Sequence, residues 1–295
     1  MKISVVIPTH NRPQQLQQCL TAFLKVEYPT DEFEIIIGDD CSPQDLTPII
    51  VPFQSQLNVQ LVRNVTNSGP ATARNTAAKL AKGDLIALTD DDCLPDPGWL
   101  TAFETAFLRN PNALLGGRLR NAFPNNMYAE ASQIISDMAY AHFNRNPENA
   151  KFFSSNNMAV PRRLFWELGG FDGLFRGASE DRDLCERWHA AGYPLVFVPD
   201  ATLAHAHNLT LRRFARQHFW YGTGAWRFQK KRKTSKTGHI VQDMAFHKNL
   251  PGLAYRRLGG IGVFKSLGYV GLLALWQFAN AAGFFHAGWK DRKKT

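Results

Sequence analysis

Cysteine is scarce and scattered in this chain. Four residues, Cys19, Cys41, Cys93 and Cys185, occur in 295 positions, and no Cys-x-x-Cys pair exists. That argues against a zinc site and a disulfide scaffold, and makes a reducing cytoplasm the natural compartment. Glycine is missing where nucleotide loops most need it. No Gly-x-Gly-x-x-Gly follows the first apolar run, and no Gly-x-x-x-x-Gly-Lys-Ser/Thr occurs; a dinucleotide oxidoreductase and a P-loop enzyme are both disfavoured. The apolar run before Pro8 is too short for a secretory signal peptide. Without secretion, Asn64-Val65-Thr66 and Asn208-Leu209-Thr210 match glycosylation acceptors by chance. Charged residues are few, at 20%, against 44% apolar, which are the proportions of a globular protein.

Acidic residues, in contrast, gather at strand ends. Leu85-Ile86-Ala87-Leu88 has the length of a buried strand and runs into Thr89-Asp90-Asp91-Asp92-Cys93. Phe33 to Gly38 runs likewise into Asp39-Asp40-Cys41-Ser42-Pro43, and Ile3 to Ile7 into Pro8-Thr9-His10-Asn11-Arg12-Pro13. Ligands of open α/β sheets bind just beyond the carboxyl ends of strands. Adjacent carboxylates at a partly desolvated end repel, so one stays protonated unless a cation joins them. Hard oxygen donors suit Mn2+ or Mg2+, commonly shared with the phosphates of a substrate. A solvated acidic turn is the alternative.

β-α alternation through the first 120 residues predicts a mainly parallel sheet with helices on both faces. Expected strands are Ile3 to Ile7, Phe33 to Gly38, Val59 to Arg63, Leu85 to Leu88 and Ala113 to Arg118. Asn121 to Lys151 breaks this rhythm as an insertion with one helix. Phe152 to Val160 is expected as a strand and Arg162 to Leu168 as a short helix. Ser179 is expected to cap a helix through Ala191, and Leu195 to Val198 is a last strand before Pro199. Acids at Glu180 and Asp181 suit a helix N-terminus for dipole reasons alone.

The chain resembles the family-2 glycosyltransferases over about residues 1 to 225. The likeness rests on ordered motifs: Val5-Val6-Ile7-Pro8-Thr9-His10-Asn11-Arg12, Gly38-Asp39-Asp40-Cys41-Ser42, Asn67 to Asn75, and Thr89-Asp90-Asp91-Asp92. Ser155 to Val160, Gly169-Gly170-Phe171-Asp172 and Glu180-Asp181-Arg182-Asp183-Leu184 follow in turn. The resemblance implies a GT-A-type fold over 1–225, followed by a basic, partly apolar helical extension over 226–295. It implies a nucleotide-diphospho-sugar donor held by Pro8, Thr9, Asn11, Arg12, Asp40, Asn67, Gly69, Arg74, Asp90 and Asp91. Asp40 would accept from the ring N–H of a uracil-type base, with Thr9 lining the same pocket; the sequence leaves open uridine, thymidine or guanosine. Asp92 would bind Mn2+ or Mg2+, with His205 or His207 as a further ligand. Asn157 and Glu180 would contact the acceptor, a glycan or a lipid-linked molecule. Asp181 would take the proton from the acceptor hydroxyl during transfer with inversion. Processive members carry Gln-x-x-Arg-Trp. Leu184-Cys185-Glu186-Arg187-Trp188 lacks the glutamine, so transfer of a single sugar is expected. A nucleotidyltransferase is the rival enzyme class, and a polyanion-binding module the non-enzymatic one.

The net charge of +9 is concentrated after Arg212, in Lys230-Lys231-Arg232-Lys233, Arg256-Arg257 and Lys290 to Lys294. Leu267 to Phe285 is apolar apart from Gln277 and Asn280, long enough for about one bilayer crossing. Basic residues at both ends favour an interfacial or re-entrant helix on an anionic, cytoplasmic membrane face over a single span. A helix docked on the catalytic domain is the alternative. No nucleic-acid partner is expected.

Overall fold

Val5, Val6 and Ile7 succeed one another without a polar break, and the strand that they build is buried on both sides. The computed structural model describes residues 2–235, 240–260 and 262–293. Its strands and helices in chain order are β1 (Ile3–Thr9), α1 (Pro13–Phe23), β2 (Phe33–Asp39), α2 (Thr47–Ile50), β3 (Val59–Arg63), α3 (Pro70–Ala78), β4 (Leu85–Thr89) and β5 (Cys93–Pro95). Then come α4 (Trp99–Arg109), β6 (Leu114–Asn121), α5 (Met127–Phe143), β7 (Asn157–Pro161), α6 (Arg162–Glu167), α7 (Glu180–Ala190), β8 (Leu195–His205), α8 (Leu211–Ser235), α9 (Ile240–Leu258) and α10 (Val263–Arg292).

The strands form one eight-stranded sheet in the order β3-β2-β1-β4-β7-β6-β8-β5. Pairs β1/β2, β2/β3, β1/β4 and β6/β8 are parallel; β4/β7, β6/β7 and β5/β8 are antiparallel. The sheet is thus mixed and mostly parallel. Alternate residues of β1 and β2, Ile3, Val5, Ile7, Ile35 and Ile37, join Leu16, Leu20, Trp99 and Phe103 of α1 and α4 in one core. On the opposite face α3 lies so close to the sheet that a Cβ on Gly38 would collide with the carbonyl of Ala73.

Three local expectations are corrected. β7 begins only at Asn157, because Ser154 and Asn156 bond each other and the Asn157 N–H turns back to Ser154; such local polar contacts compete with a ladder. β8 does not stop before Pro199. A register shift beside Gly117/Arg118 absorbs the Pro199-Asp200 step, and pairing resumes from Thr202 to His205. Ser179 has φ +75°, unlike the extended backbone usual at an N-cap.

The chain divides into two compact units. One comprises residues up to Ala122 with Asn146–Arg176 and Glu180–Ala206; the other comprises Phe123–Arg145, Gly177–Ser179 and residues from His207 onward. The boundary expected at 225 falls inside α8. The second unit is helical, with Ile134, Met138, Phe214, Phe246, Leu272 and Trp276 in its core. α8 and α10 run side by side in the same direction, from the His218 and Trp276 rings (6.3 Å) through Trp226 and Phe284 (5.1 Å) to Lys230 and Asp291 (3.0 Å).

Gly283 makes this closeness possible, since a Cβ there would overlap the Phe219 carbonyl. Backbone cannot step aside as a flexible side chain can. Gly283→Val should therefore cost about 1–3 kcal/mol or more by overpacking. Gly271, with open space around it, should instead gain up to about 1 kcal/mol as alanine. Urea titrations of the two variants check the contrast.

Candidate active site

Five segments of the first unit meet around the acidic turn after β4. Asp91 is buried, accepting from Thr9 Oγ1 (2.7 Å) and pairing with Arg12 Nη1 (2.9 Å). Asp92, also buried, pairs with Arg12 Nη2 (2.5 Å) and lies 3.3 Å from His205 Nε2. Asp90 is half-buried and receives Arg74 Nη2 at 2.6 Å. The β5/β8 ladder sets Cys93 directly opposite His205, and the Ala206 N–H closes on the Asp92 carbonyl at 2.7 Å. β5 escaped sequence reasoning, because three residues ending in proline carry no period.

Charge within the turn is divided unequally. Burial, with Asp92 and Asp90 beside it, pushes the Asp91 carboxyl up to about 7 against the pull of Arg12 and Thr9. Burial also opposes ionisation of Asp92, but His205 and Arg12 outweigh it and hold that carboxyl well below the usual range. His205 is raised in turn: its burial is more than offset by Asp92.

Asp92, Cys93 and His205 offer one ligand atom each, all within 4.8 Å of one another. Burial, and then Asp92 and Asp90, push the Cys93 thiol up and keep it protonated, which leaves a carboxylate and an imidazole. The carboxylate is the hard donor of the pair and suits Mn2+ or Mg2+. His207 is not part of this group; it belongs to the second unit.

The loops after β1 and β2 are fastened to each other. Asn11, at φ +53°, donates its N–H to Ser42 Oγ (2.9 Å), and His10 Nδ1 lies 2.9 Å from the Asp40 carbonyl. Asp39 accepts from Ser42 N (2.9 Å) and Oγ (2.5 Å). Asp40 accepts from Asn64 Nδ2 (2.9 Å), Ser68 N (3.0 Å) and Gly69 N (2.7 Å). Its carboxylate therefore pins the Asn67-Ser68-Gly69 turn at the start of α3, where Gly69 has φ +94° and Asn67 is exposed. Pro8 and Thr9 are buried at the end of β1, under this rim.

Arg74 bridges the two halves of the site. Buried in α3, it reaches Asp90 with one nitrogen and Glu180 Oε1 with another (3.0 Å), and its guanidinium sits 5.5 Å from the Phe171 ring. Glu180 opens α7 and keeps Oε2 buried without a hydrogen-bond partner. The next residue, Asp181, is half-buried and accepts from the Arg182 N–H at 2.8 Å. Burial first, then the Glu180 charge, raise its carboxyl to about 7.

Asn157 stands apart from these groups. It is fully buried, accepts from Trp99 Nε1 (2.8 Å) and donates to the Arg118 (2.9 Å) and Ala201 (3.0 Å) carbonyls. Its amide is occupied in knitting β7 to β6 and β8, which corrects its expected contact with an acceptor. Arg187 and Trp188 are also structural. Arg187 bonds Asp183 and the Leu168 and Gly170 carbonyls, and buried Trp188 donates to the Asn112 carbonyl.

Comparison with known proteins agrees with this geometry. The family model described as glycosyl transferase family 2 matches residues 4–169. The chain is 25% identical over 205 residues to glycosyltransferase AglE of Haloferax volcanii, covering 69% of this chain and 66% of that protein. It is 28% identical over 226 residues to the validoxylamine A glucosyltransferase of Streptomyces hygroscopicus, covering 66% and 53% respectively. It thus spans less than two thirds of the length of either relative. Among solved structures, the mannosyltransferase PcManGT of Pyrobaculum calidifontis, in complex with GDP-Man and Mn2+, superposes with a TM-score of 0.69 at 19% identity. That match covers 98% of this chain and 87% of the other. The Staphylococcus aureus TarS 1–349 complex with UDP-GlcNAc gives 0.54 at 15% identity, over 100% and 93%. The fold is that of GT-A glycosyltransferases, and with more than half of its length matched by the family model, the chain belongs to glycosyltransferase family 2.

Proposed function

We propose that the protein transfers a single sugar from a nucleotide-diphospho-sugar to a hydroxyl of a glycan or lipid-linked acceptor, with inversion and with a divalent metal. One observation carries this most: Arg74 ties the acidic turn, through Asp90, to Glu180 and hence to the helix start bearing Asp181. A leaving-group site and a proton acceptor are thereby held in one frame. Asp92 and His205 are the donors that would hold Mn2+ or Mg2+, which when bound stabilises the diphosphate as it departs. Asp90, Asn67, Gly69 and the Thr9-to-Arg12 loop line the donor side. Asp181, with its carboxyl near pH 7, takes the acceptor proton as the hydroxyl attacks the anomeric carbon. GDP-mannose and UDP-GlcNAc, the donors bound by the structural neighbours, are the first to try. Arg187 and Trp188, both occupied within the fold, support a non-processive enzyme. An anionic membrane at the cytoplasmic face is the proposed partner surface.

A thermal-shift screen of nucleoside diphosphates and nucleotide sugars, with and without Mn2+, tests the donor assignment. A ligand at a hundred times its Kd adds about 2.7 kcal/mol of stability. We expect one nucleotide class to raise the melting temperature only when Mn2+ is present. No shift with any nucleotide would remove the transferase proposal and revive the polyanion-binding alternative.

A further inference from the structure

α10 has two apolar faces, and among the described residues only one of them is covered. Leu272, Trp276, Ala279 and Gly283 are buried and share one arc of a helix turning about 100° per residue. Phe264, Leu267, Val270, Phe278, Phe285 and Trp289 share a second arc, about 140° away, and are 52–91% exposed. No charged residue interrupts the helix between Lys265 and Lys290, a length of about 36 Å at 1.5 Å per residue. Isolated exposed apolar residues are ordinary, whereas a stripe of this length marks a contact surface. The helix is also long and apolar enough to cross a membrane, by length and composition alone.

Two features of the same unit decide between partners. Both ends of the helix are basic: Lys265 at one, and at the other Arg292 and Lys293 beside the stripe, the latter with its ammonium 3.9 Å over the Trp289 ring. Two copies pairing along the stripe would bring basic end to basic end in either direction. An anionic headgroup layer neutralises both ends at once. The covered face bears on the second feature. α8 runs in step with α10, His218 beside Trp276 and Trp226 beside Phe284, which sets exposed Arg216 and Arg227 at the level of the stripe. A spanning α10 would drag those charges into hydrocarbon, which is costly.

Resting on the membrane partner proposed above, we infer that α10 lies flat in an anionic leaflet. Its stripe is sunk to the depth of the aromatic rings, and Lys265 and Lys290 both lie at the headgroups. The helix does not span. Point changes on the exposed arc test this best, because removing α10 would also strip Leu272 and Trp276 from the core of the unit.

Full-length protein should sediment with vesicles of phosphatidylcholine and phosphatidylglycerol, and at least about tenfold less with phosphatidylcholine alone or in high salt. The double change Phe278→Glu with Phe285→Glu should abolish sedimentation while leaving the thermal melt and Mn2+-dependent nucleotide binding unchanged. In a Cys41→Ser background, the single variants Lys265→Cys and Lys290→Cys should both react with an impermeant maleimide from outside sealed vesicles. Labelling of only one before detergent would mean that the helix spans, and would overturn the flat arrangement. Protein that ignores vesicles but forms a dimer broken by the Phe278→Glu change would assign the stripe to a second copy. Sugar transfer to a soluble acceptor without vesicle binding would sink this inference and leave the transferase proposal standing; vesicle binding without any nucleotide binding would do the reverse.

Discussion

Replacing Asp181 by asparagine should lower turnover at least about a hundredfold, the low end for loss of a general base, while donor affinity stays within about twofold. The carboxyl is raised to about 7 by burial and by Glu180, so the wild-type enzyme should gain activity as pH rises through 7 and its base loses the proton. The variant should lose that rising limb. Stability moves the opposite way. A carboxyl whose folded pKa lies above the unfolded value near 4 binds more protons when folded, so the wild type loses stability as pH climbs from about 4 to 7. Asp181→Asn removes this term and should melt higher than the wild type at pH 8. A variant that melts higher and turns over slowly is the signature of a residue serving chemistry at a cost to stability. If donor binding fell in step with turnover, Asp181 would belong to the donor site and the base would lie elsewhere.

Asp92→Asn should abolish Mn2+-dependent nucleotide binding, measured calorimetrically. Asp92 is the strongly ionised member of the acidic turn, and it alone touches both Arg12 and His205. An asparagine keeps the shape but loses the charge that a divalent ion requires. Arg12 keeps its second partner, Asp91, so circular dichroism should be unchanged and the melting temperature should drop only modestly. An unaltered calorimetric affinity would remove Asp92 from the metal site.

Much of this architecture is legible in the chain, for physical reasons. Strands buried on both faces are written as unbroken apolar runs, and each of β1, β2 and β4 ends where polar residues begin. The departure from that rhythm after Asn121 is equally plain, but nothing in it announces that Phe123–Arg145 belongs with the helices of the second unit rather than with residues 1–225. The fine structure of the site is not legible, because it depends on partners far apart in sequence. Nothing around Arg74 announces Glu180, 106 positions later, and nothing in Ser155 to Val160 reveals that Asn157 is spent on Trp99 and two carbonyls. Pro199 looks like a strand end, yet the register shift lets β8 continue to His205.

That continuation makes chain length itself a constraint. Side chains alternate faces along a strand, so a slip of one residue turns every one of them over. His205 stands opposite Cys93 and beside Asp92 only because the count from Thr202 onward is kept. A single residue added or lost in this short stretch would turn the imidazole to the far face and offer Ala204 or Ala206 in its place, with the composition otherwise intact. Substitutions there can be judged one by one, but insertions and deletions cannot. The irregular step at Pro199-Asp200 is the nearest point where length could change without reaching the histidine. A change of length in this segment is therefore tolerable only on the Pro199 side of Thr202.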